Sequence, residues 1–467
     1  MRLLPALAAL IFIASPATAQ QLTASEAARI DTIVNTSLAS SGVPSASIAI
    51  VRGGKIVFAK AYGKQSEDGS AVRADAPYQI ASISKQFTAA ALLMLEEDGK
   101  LSLDDKVSKF VPDVTGADRI SIRQLLSHTS GLQDYWPQDY SFGAMATPIT
   151  PQGIVDRWAK KPLDFEPGTQ WQYSNTGYVV AGMIVEKAAG MPLLDFLQAR
   201  VFKPLGIKAI DQDLAIGPGY PQGYQRFALG PVRPEKPAAH GWLFAAGELA
   251  MSASDLAKWD IARMNRGLMP ADDWAAQEKT VSLSDGRDTR YGLGVVAGEA
   301  NGHRFIEHSG EAVGFLSENI VFLEEKAAVV VLVNADFSNA FTSIASQITS
   351  LILPPAKSDA AVDEQAKTAQ ARGVFDAMRA GTLDPKLMTA DWNYYFTPVA
   401  AGDYKTSLAK LGNPNSFELL RAPRLRGGFV NRNYKVTFPN GQALTIVTYA
   451  EPGETGRYEQ FLVMPSE

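Results

Sequence analysis

The 467-residue chain contains no cysteine, which excludes disulfides, thiolate nucleophiles and zinc held by sulfur. Histidine is scarce too. His128, His240, His303 and His308 are the four, and they are too scattered to suggest a metal cluster. No block of positive charge occurs: 44 Lys and Arg against 49 Asp and Glu leave a net charge of −5, so nothing could neutralise a run of phosphates and nucleic acid is not an expected partner. Past the N-terminus, no segment approaches the roughly twenty uninterrupted apolar residues of a membrane-spanning helix. What is present is ordinary. With 46% apolar and 20% charged residues, the chain can bury a sizeable core and is neither disordered nor fibrous. Any chemistry must come from oxygen and nitrogen side chains.

Residues 1–19 read as an export leader. Arg2 supplies the positive charge, residues 3–14 an apolar stretch short of a bilayer span and interrupted by Pro5, and Ala17-Thr18-Ala19 a small-x-small cleavage site. The mature chain is expected to begin at Gln20. No cysteine follows that could carry a lipid, so the expected location is the periplasm or the medium, without membrane insertion after cleavage. The lack of cysteine suits an oxidising compartment.

Periodicity then divides the chain. Residues 25–38 carry Ala28, Ile30, Ile33 and Leu38 near helical spacing. Residues 46–51 and 55–59, joined by Arg52-Gly53-Gly54, form a hairpin of β-branched strands. An amphipathic helix is expected over 82–97, stopped at Asp98-Gly99, with Ser82 on its first turn. Further helices are expected at 176–189, 253–265 and 340–353, and strands at 315–323 and 327–333. Strands at both ends with helices between imply one α/β domain, residues 20–353, whose terminal pieces meet in a single antiparallel sheet. A linker, 354–368, opens with Pro354-Pro355-Ala356-Lys357-Ser358-Asp359. Residues 369–467 start afresh as a small α+β domain: a helix at 369–380 with Val374, Phe375 and Met378 on one face, then a meander closing through Pro439-Asn440-Gly441 and Pro452-Gly453-Glu454.

Ser82-Ile83-Ser84-Lys85 sets a hydroxyl and an amine three apart at a helix N-terminus, where they share a face. That is a nucleophile beside a base. The helix end offers N–H groups to an oxyanion, and its partial positive charge together with burial favours a neutral lysine. Taken alone, the pair reads as an N-cap serine followed by a solvated lysine. Tyr173-Ser174-Asn175 stands just before a helix, and His308-Ser309-Gly310 leads into the strands at 315. Separately these read as a buried tyrosine with a capping Asn and as a histidine in a surface turn.

Together and in this order, the three resemble the active-site motifs of the serine β-lactamase and penicillin-binding-protein superfamily. Gly99-Lys100-Leu101-Ser102-Leu103-Asp104-Asp105, Leu125-Leu126-Ser127-His128-Thr129-Ser130-Gly131-Leu132, Pro204-Leu205-Gly206 and Ala245-Ala246-Gly247 extend the resemblance over about residues 24–352. They point to the class C branch, with its DD-peptidases, D-aminopeptidases and family VIII esterases. The resemblance implies a class C β-lactamase-like α/β fold, an antiparallel sheet flanked by helices beside an all-helical subdomain, with the site in the cleft. It implies an exported serine hydrolase of amides or esters, working through an acyl-enzyme on a small molecule or peptide without cofactor or metal.

Residue by residue, Ser82 resembles the acylated nucleophile and Lys85 its activating partner. Tyr173 resembles the tyrosine that acts with the lysine as general base and then protonates the leaving group. Asn175 resembles the amide that fixes the substrate and the lysine. Ser309 lies between His308 and Gly310, and Gly310 lets the strand approach, so the Glu311 and Ser82 N–H groups would form the oxyanion hole. His308 stands where class C β-lactamases carry lysine. That departure points to peptidases and esterases rather than to efficient β-lactam turnover, a true β-lactamase being the alternative. A rival of another class is a penicillin sensor or peptidoglycan-binding protein that acylates without deacylating; Tyr173 and His308 together favour turnover. His128 resembles a structural turn element, and Glu166 and Asp255 read as capping or turn residues. The tail resembles the nuclear-transport-factor-like fold and shows no catalytic set.

Overall fold

The computed structural model describes residues 21–466 except 138–140, 228–229, 301, 354–363, 421–422, 427–428 and 454. The leader, the linker opening at Pro354, and part of the turn at Pro452-Gly453-Glu454 therefore lie outside the described residues. Two compact units result, one of Met1–Ala297 with Phe305–Ile352, the other of Gly298–Arg304 with Leu353–Glu467.

The hairpin β1 (Ser45–Arg52) and β2 (Lys55–Gly63) joins β3 (Val296–Ala300), β4 (His303–Ala312), β5 (Phe315–Phe322) and β6 (Ala327–Val333) in one sheet, ordered β2-β1-β6-β5-β4-β3. The expected meeting of the chain's two ends is there: Ala46 lies opposite Val333 and Val51 opposite Ala328, antiparallel. β1 and β6 are buried along nearly their whole length, because helices cover both faces and a continuous β-branched run can satisfy both. Helices α1 (Ala24–Ser41) and α5 (Ala340–Ile352) pack together on one side, and α4 (Ala253–Met264) packs against β1 and β6. α1 is fixed at its start by a capping box of Thr23 and Glu26.

Between β2 and β3 the chain is mainly helical. Helix α2 (Lys85–Glu97) is buried on every side from Lys85 to Leu95, which its Ala89-Ala90-Ala91 run permits by letting neighbours approach closely. It packs against α3 (Asn175–Ala189), whose N-cap is Ser174. One difference from the sequence reading matters here. The helix expected from residue 82 begins at Lys85, and Ala81–Ser84 form a tighter 3₁₀ turn before it. With three residues per turn, positions i and i+3 eclipse, so Ser82 stands directly over Lys85.

The second unit has helix α6 (Glu364–Ala380) over a five-stranded antiparallel sheet formed by Ser416–Leu419, Arg424–Arg426, Phe429–Thr437, Ala443–Ala450 and Tyr458–Pro465. Val374, Phe375 and Met378 sit in its core with Tyr434, Ile446 and Phe461, as their shared helix face requires. α6 begins inside the stretch read as linker up to 368, since Glu364, Gln365, Ala366 and Lys367 are all strong helix formers.

Candidate active site

Four segments meet around Ser82. The first is the 3₁₀ turn itself, entered through Ala81 in a left-handed conformation (φ 49°), which costs a non-glycine residue about 1–3 kcal/mol. The surroundings hold it. The Ile80 carbonyl accepts from Ser317 Oγ at 3.0 Å and from the Ile83 N–H at 3.2 Å.

Lys85 is fully buried and its amine lies 2.9 Å from Ser82 Oγ, 2.8 Å from Asn175 Oδ1 and 2.7 Å from the Ala246 carbonyl. The Asn175 amide is oriented by Asp134: its Nδ2 donates to Asp134 Oδ2 at 3.3 Å and its backbone N–H to Oδ1 at 3.1 Å. Asn175 Oδ1 and the Ala246 carbonyl can therefore only accept. A neutral lysine has two protons, and these two acceptors take both, which leaves its lone pair for the Ser82 hydroxyl proton. Burial brings the ammonium down to about 7, against a smaller upward pull from Asp134. The rate of Ser82 acylation should accordingly rise as pH climbs through about 7, because only the neutral amine can take the proton. Stopped-flow acylation by an activated ester between pH 5 and 9 reads this directly; a flat profile would remove Lys85 as base.

Tyr173 lies over the same amine, 4.9 Å from ring centre to Nζ, and its hydroxyl bonds to the Ser82 side chain. Burial raises its phenol above the ordinary range, so it holds its proton at neutral pH and is suited to donate it.

His308 lies in the middle of β4, not in the surface turn that the motif taken alone suggests, 5% exposed, its Nδ1 2.6 Å from the Ser309 carbonyl and its Nε2 2.7 Å from the Tyr291 hydroxyl. The carbonyl cannot donate, so Nδ1 carries the proton and Nε2 accepts from Tyr291. Burial and the nearby Lys85 hold the ring down to about 3. It is uncharged across the physiological range.

β4 brings the last group. A Cβ at Gly310 would overlap the Ile80 carbonyl and the Ser317 hydroxyl, so only glycine lets this strand lie against the segment bearing Ser82. Val313 and Gly314 form the two-residue tip joining β4 to β5, with Ala312 opposite Phe315 and Glu311 opposite Leu316. In such a hairpin the closing pair exchanges hydrogen bonds and the next pair does not. The Glu311 N–H is thus turned from β5 towards the cleft. Ser82, Tyr173, Asn175, His308, Ser309 and Glu311 all line one cleft of about 420 Å³.

Two contributors had no local motif: Tyr291 fixes the His308 tautomer and Asp134 orients Asn175. The Ala246 carbonyl, from the Ala245-Ala246-Gly247 segment, holds Lys85. His128 is buried in a left-handed conformation, accepts from the Ser174 N–H at 3.1 Å and packs 4.1 Å from the Tyr173 ring; it backs the tyrosine from a turn. Asp255 caps α4 with Ser252, and Glu166 pairs with Arg119. His240 finds not another histidine but two aspartates, its Nδ1 2.7 Å from Asp213 Oδ2 and the set Asp211, Asp213 and His240 within metal-ligand reach of one another. None of the three lines the cleft.

An antiparallel sheet between helices, with a helical insert beside it, is the architecture shared with the octameric penicillin-binding protein homologue from Pyrococcus abyssi. The two superpose with a TM-score of 0.62 over 94% of this chain and 99% of that one, at 21% identity. The chain belongs to the beta-lactamase family, whose model matches residues 30–351. It is similar to penicillin-binding protein 4* of Bacillus subtilis (strain 168), 27% identical over 311 residues, and to the D-aminopeptidase of Brucella ovis, 28% identical over 327. Those alignments cover 62% and 67% of this chain, and 68% and 61% of the relatives' own lengths.

Proposed function

We propose that this chain is an exported serine hydrolase that opens an amide or ester bond through an acyl-enzyme, peptidase- or esterase-like, with weak or no β-lactamase activity. The observation that carries the reading is the buried Lys85 amine, whose two acceptors leave its lone pair to Ser82. Ser82 Oγ attacks the carbonyl carbon while its proton passes to Lys85, with the Tyr173 hydroxyl bridging. The carbonyl oxygen becomes an oxyanion between the Ser82 and Glu311 N–H groups, a donor pair worth a few kcal/mol. Tyr173 gives a proton to the departing nitrogen or oxygen, the bond breaks, and Ser82 is left as an ester. Water, deprotonated by the same pair, reverses the sequence and frees the acid. The leader-like residues 1–19 support export, and among the described residues no helix is long and apolar enough to cross a membrane.

Intact mass after mixing with a penicillin, an activated short-chain ester and a D-Ala-D-Ala peptide, followed over time, tests this. Adducts that form and clear on ester or peptide support it. Adducts that never clear would make the chain a binding protein instead. The uncharged His308 sets the β-lactam expectation. It brings no charge to the lactam carboxylate, so kcat/KM for nitrocefin should fall roughly a hundredfold or more below that for a p-nitrophenyl ester, about 2.7 kcal/mol of barrier. His308→Lys should narrow that gap, and the gain should shrink as salt rises. Equal wild-type rates on both would make the chain a β-lactamase proper.

A further inference from the structure

A second chemical cluster lies outside the cleft and stands independently of the hydrolase reading. Asp211, Asp213 and His240 each bring a donor atom within 4.8 Å of the other two. Asp211 ends the short strand Ile210–Asp211, and Gln212–Leu214 form a 3₁₀ turn directly after it. Asp211 Oδ1 accepts the Asp213 N–H at 2.8 Å, which is how two carboxylates one residue apart come together. His240 approaches from a separate segment, its Nδ1 2.7 Å from Asp213 Oδ2.

The negative charge here is not balanced by the protein. Among the described residues no lysine or arginine pairs with either aspartate, and the carboxyls of Glu248 and Glu186 add to the same field. The residue between the aspartates then points to a ligand. Gln212 is 4% exposed. Its Nε2 donates to Asp213 Oδ1 at 3.1 Å, which holds the amide against the cluster, while its Oε1 is buried without a hydrogen-bond partner. A buried acceptor left unpaired is costly. A water held by a cation between the carboxylates would carry the proton that Oε1 lacks.

We propose that Asp211, Asp213 and His240 bind a divalent transition-metal ion, zinc above manganese, with Gln212 Oε1 accepting from a water on the ion. Two carboxylates with an imidazole suit these metals, whereas calcium and magnesium prefer sets made of oxygen alone. The ion's role is structural. The Gln212 N–H donates to the Glu248 carbonyl at 2.7 Å, the Gly241 N–H to Asp213 Oδ2 at 2.9 Å, and Asp211 lies opposite Leu249. The aspartate loop is thus tied to both ends of segment 240–249, whose Ala246 carbonyl holds Lys85. An ion that also fastens His240 to this loop braces the segment from outside the cleft.

Equilibrium dialysis of the full chain, stripped with a chelator and then exposed to zinc, manganese or calcium, tests the proposal when bound metal is counted by elemental analysis. About one zinc per chain should bind with micromolar affinity, manganese more weakly and calcium weakest. His240→Ala removes an exposed side chain and spares the fold; it should weaken zinc by about tenfold or more, as should Asp213→Asn, and Gln212→Met should do so through the lost water contact. His303→Ala, the control, should leave binding unchanged. At a free concentration of about a hundred times Kd, zinc should raise the melting temperature of the wild type by roughly 3 °C or more and slow amide exchange at 210–213 and 240–249. No zinc binding below about 1 mM, binding that survives His240→Ala, a preference for calcium, or protection confined to other segments overturns the proposal. None of these readouts uses Ser82, so an inert serine would sink the hydrolase reading and leave the metal site standing.

Discussion

Replacing Ser82 by alanine should abolish ester hydrolysis and covalent labelling together while leaving the fold intact. The side chain removed is one oxygen at the edge of a cleft, and Ala81, Ile83 and the buried α2 that hold the turn keep every contact. The expected loss is of the whole covalent pathway, because no other hydroxyl replaces it: Ser84 is buried and its Oγ accepts from the Leu249 N–H at 3.1 Å. Intact mass with a fluorophosphonate and with a fluorescent penicillin, alongside a thermal melt, reads both halves. An adduct on Ser84, or on the variant anywhere in the cleft, would overturn the assignment.

The second large effect belongs to Tyr173. Tyr173→Phe keeps the ring against His128 and over the Lys85 amine and removes only the hydroxyl. If lysine and tyrosine pass one proton between them, kcat should drop by roughly 10²–10⁴-fold, the scale of a positioned acid–base group. Stability should hardly change. Leaving-group dependence sharpens the test. The deficit should be greater for a p-nitroanilide, whose nitrogen must be protonated to leave, than for a p-nitrophenyl ester, whose phenolate leaves unaided. A drop below about tenfold on the anilide would return Tyr173 to a packing role.

How much of this was legible depended on whether the information was local. Ser82 and Lys85 are three apart, and Tyr173 and Asn175 flank a helix cap, so spacing alone presents each pair. Tyr291 and Asp134 act from separate segments that only the tertiary fold unites, and although Ala245-Ala246-Gly247 was picked out as a segment, the role of a backbone carbonyl within it has no sequence signature. β4 was hidden for a different reason. In His303–Ala312 the buried positions alternate, but two of them are His308 and Gly310, where a purely structural strand would carry apolar side chains. In the second unit the helices Ala390–Tyr395 and Pro398–Ala409 went unread although Thr389, and Thr397 with Pro398, announce them as N-cap and first-turn residues. The later start of α2 was invisible because 3₁₀ and α patterns coincide over a single turn.

The sheet has a consequence for the order of assembly. β1 is made early and its partner β6 late; the Ser45 N–H donates to Asn334 Oδ1 across 289 positions of chain. Until residues 327–333 arrive, the apolar edge of β1 has nothing to pair with, and such an edge invites other chains. A nascent polypeptide therefore already holds Ser82, Lys85 and Tyr173 yet lacks the strand bearing His308 and Glu311, so it can neither complete its cleft nor settle its sheet. Competence arrives late and all at once, with the C-terminal strands, and the chain's first two-thirds stay inert until the rest has joined them.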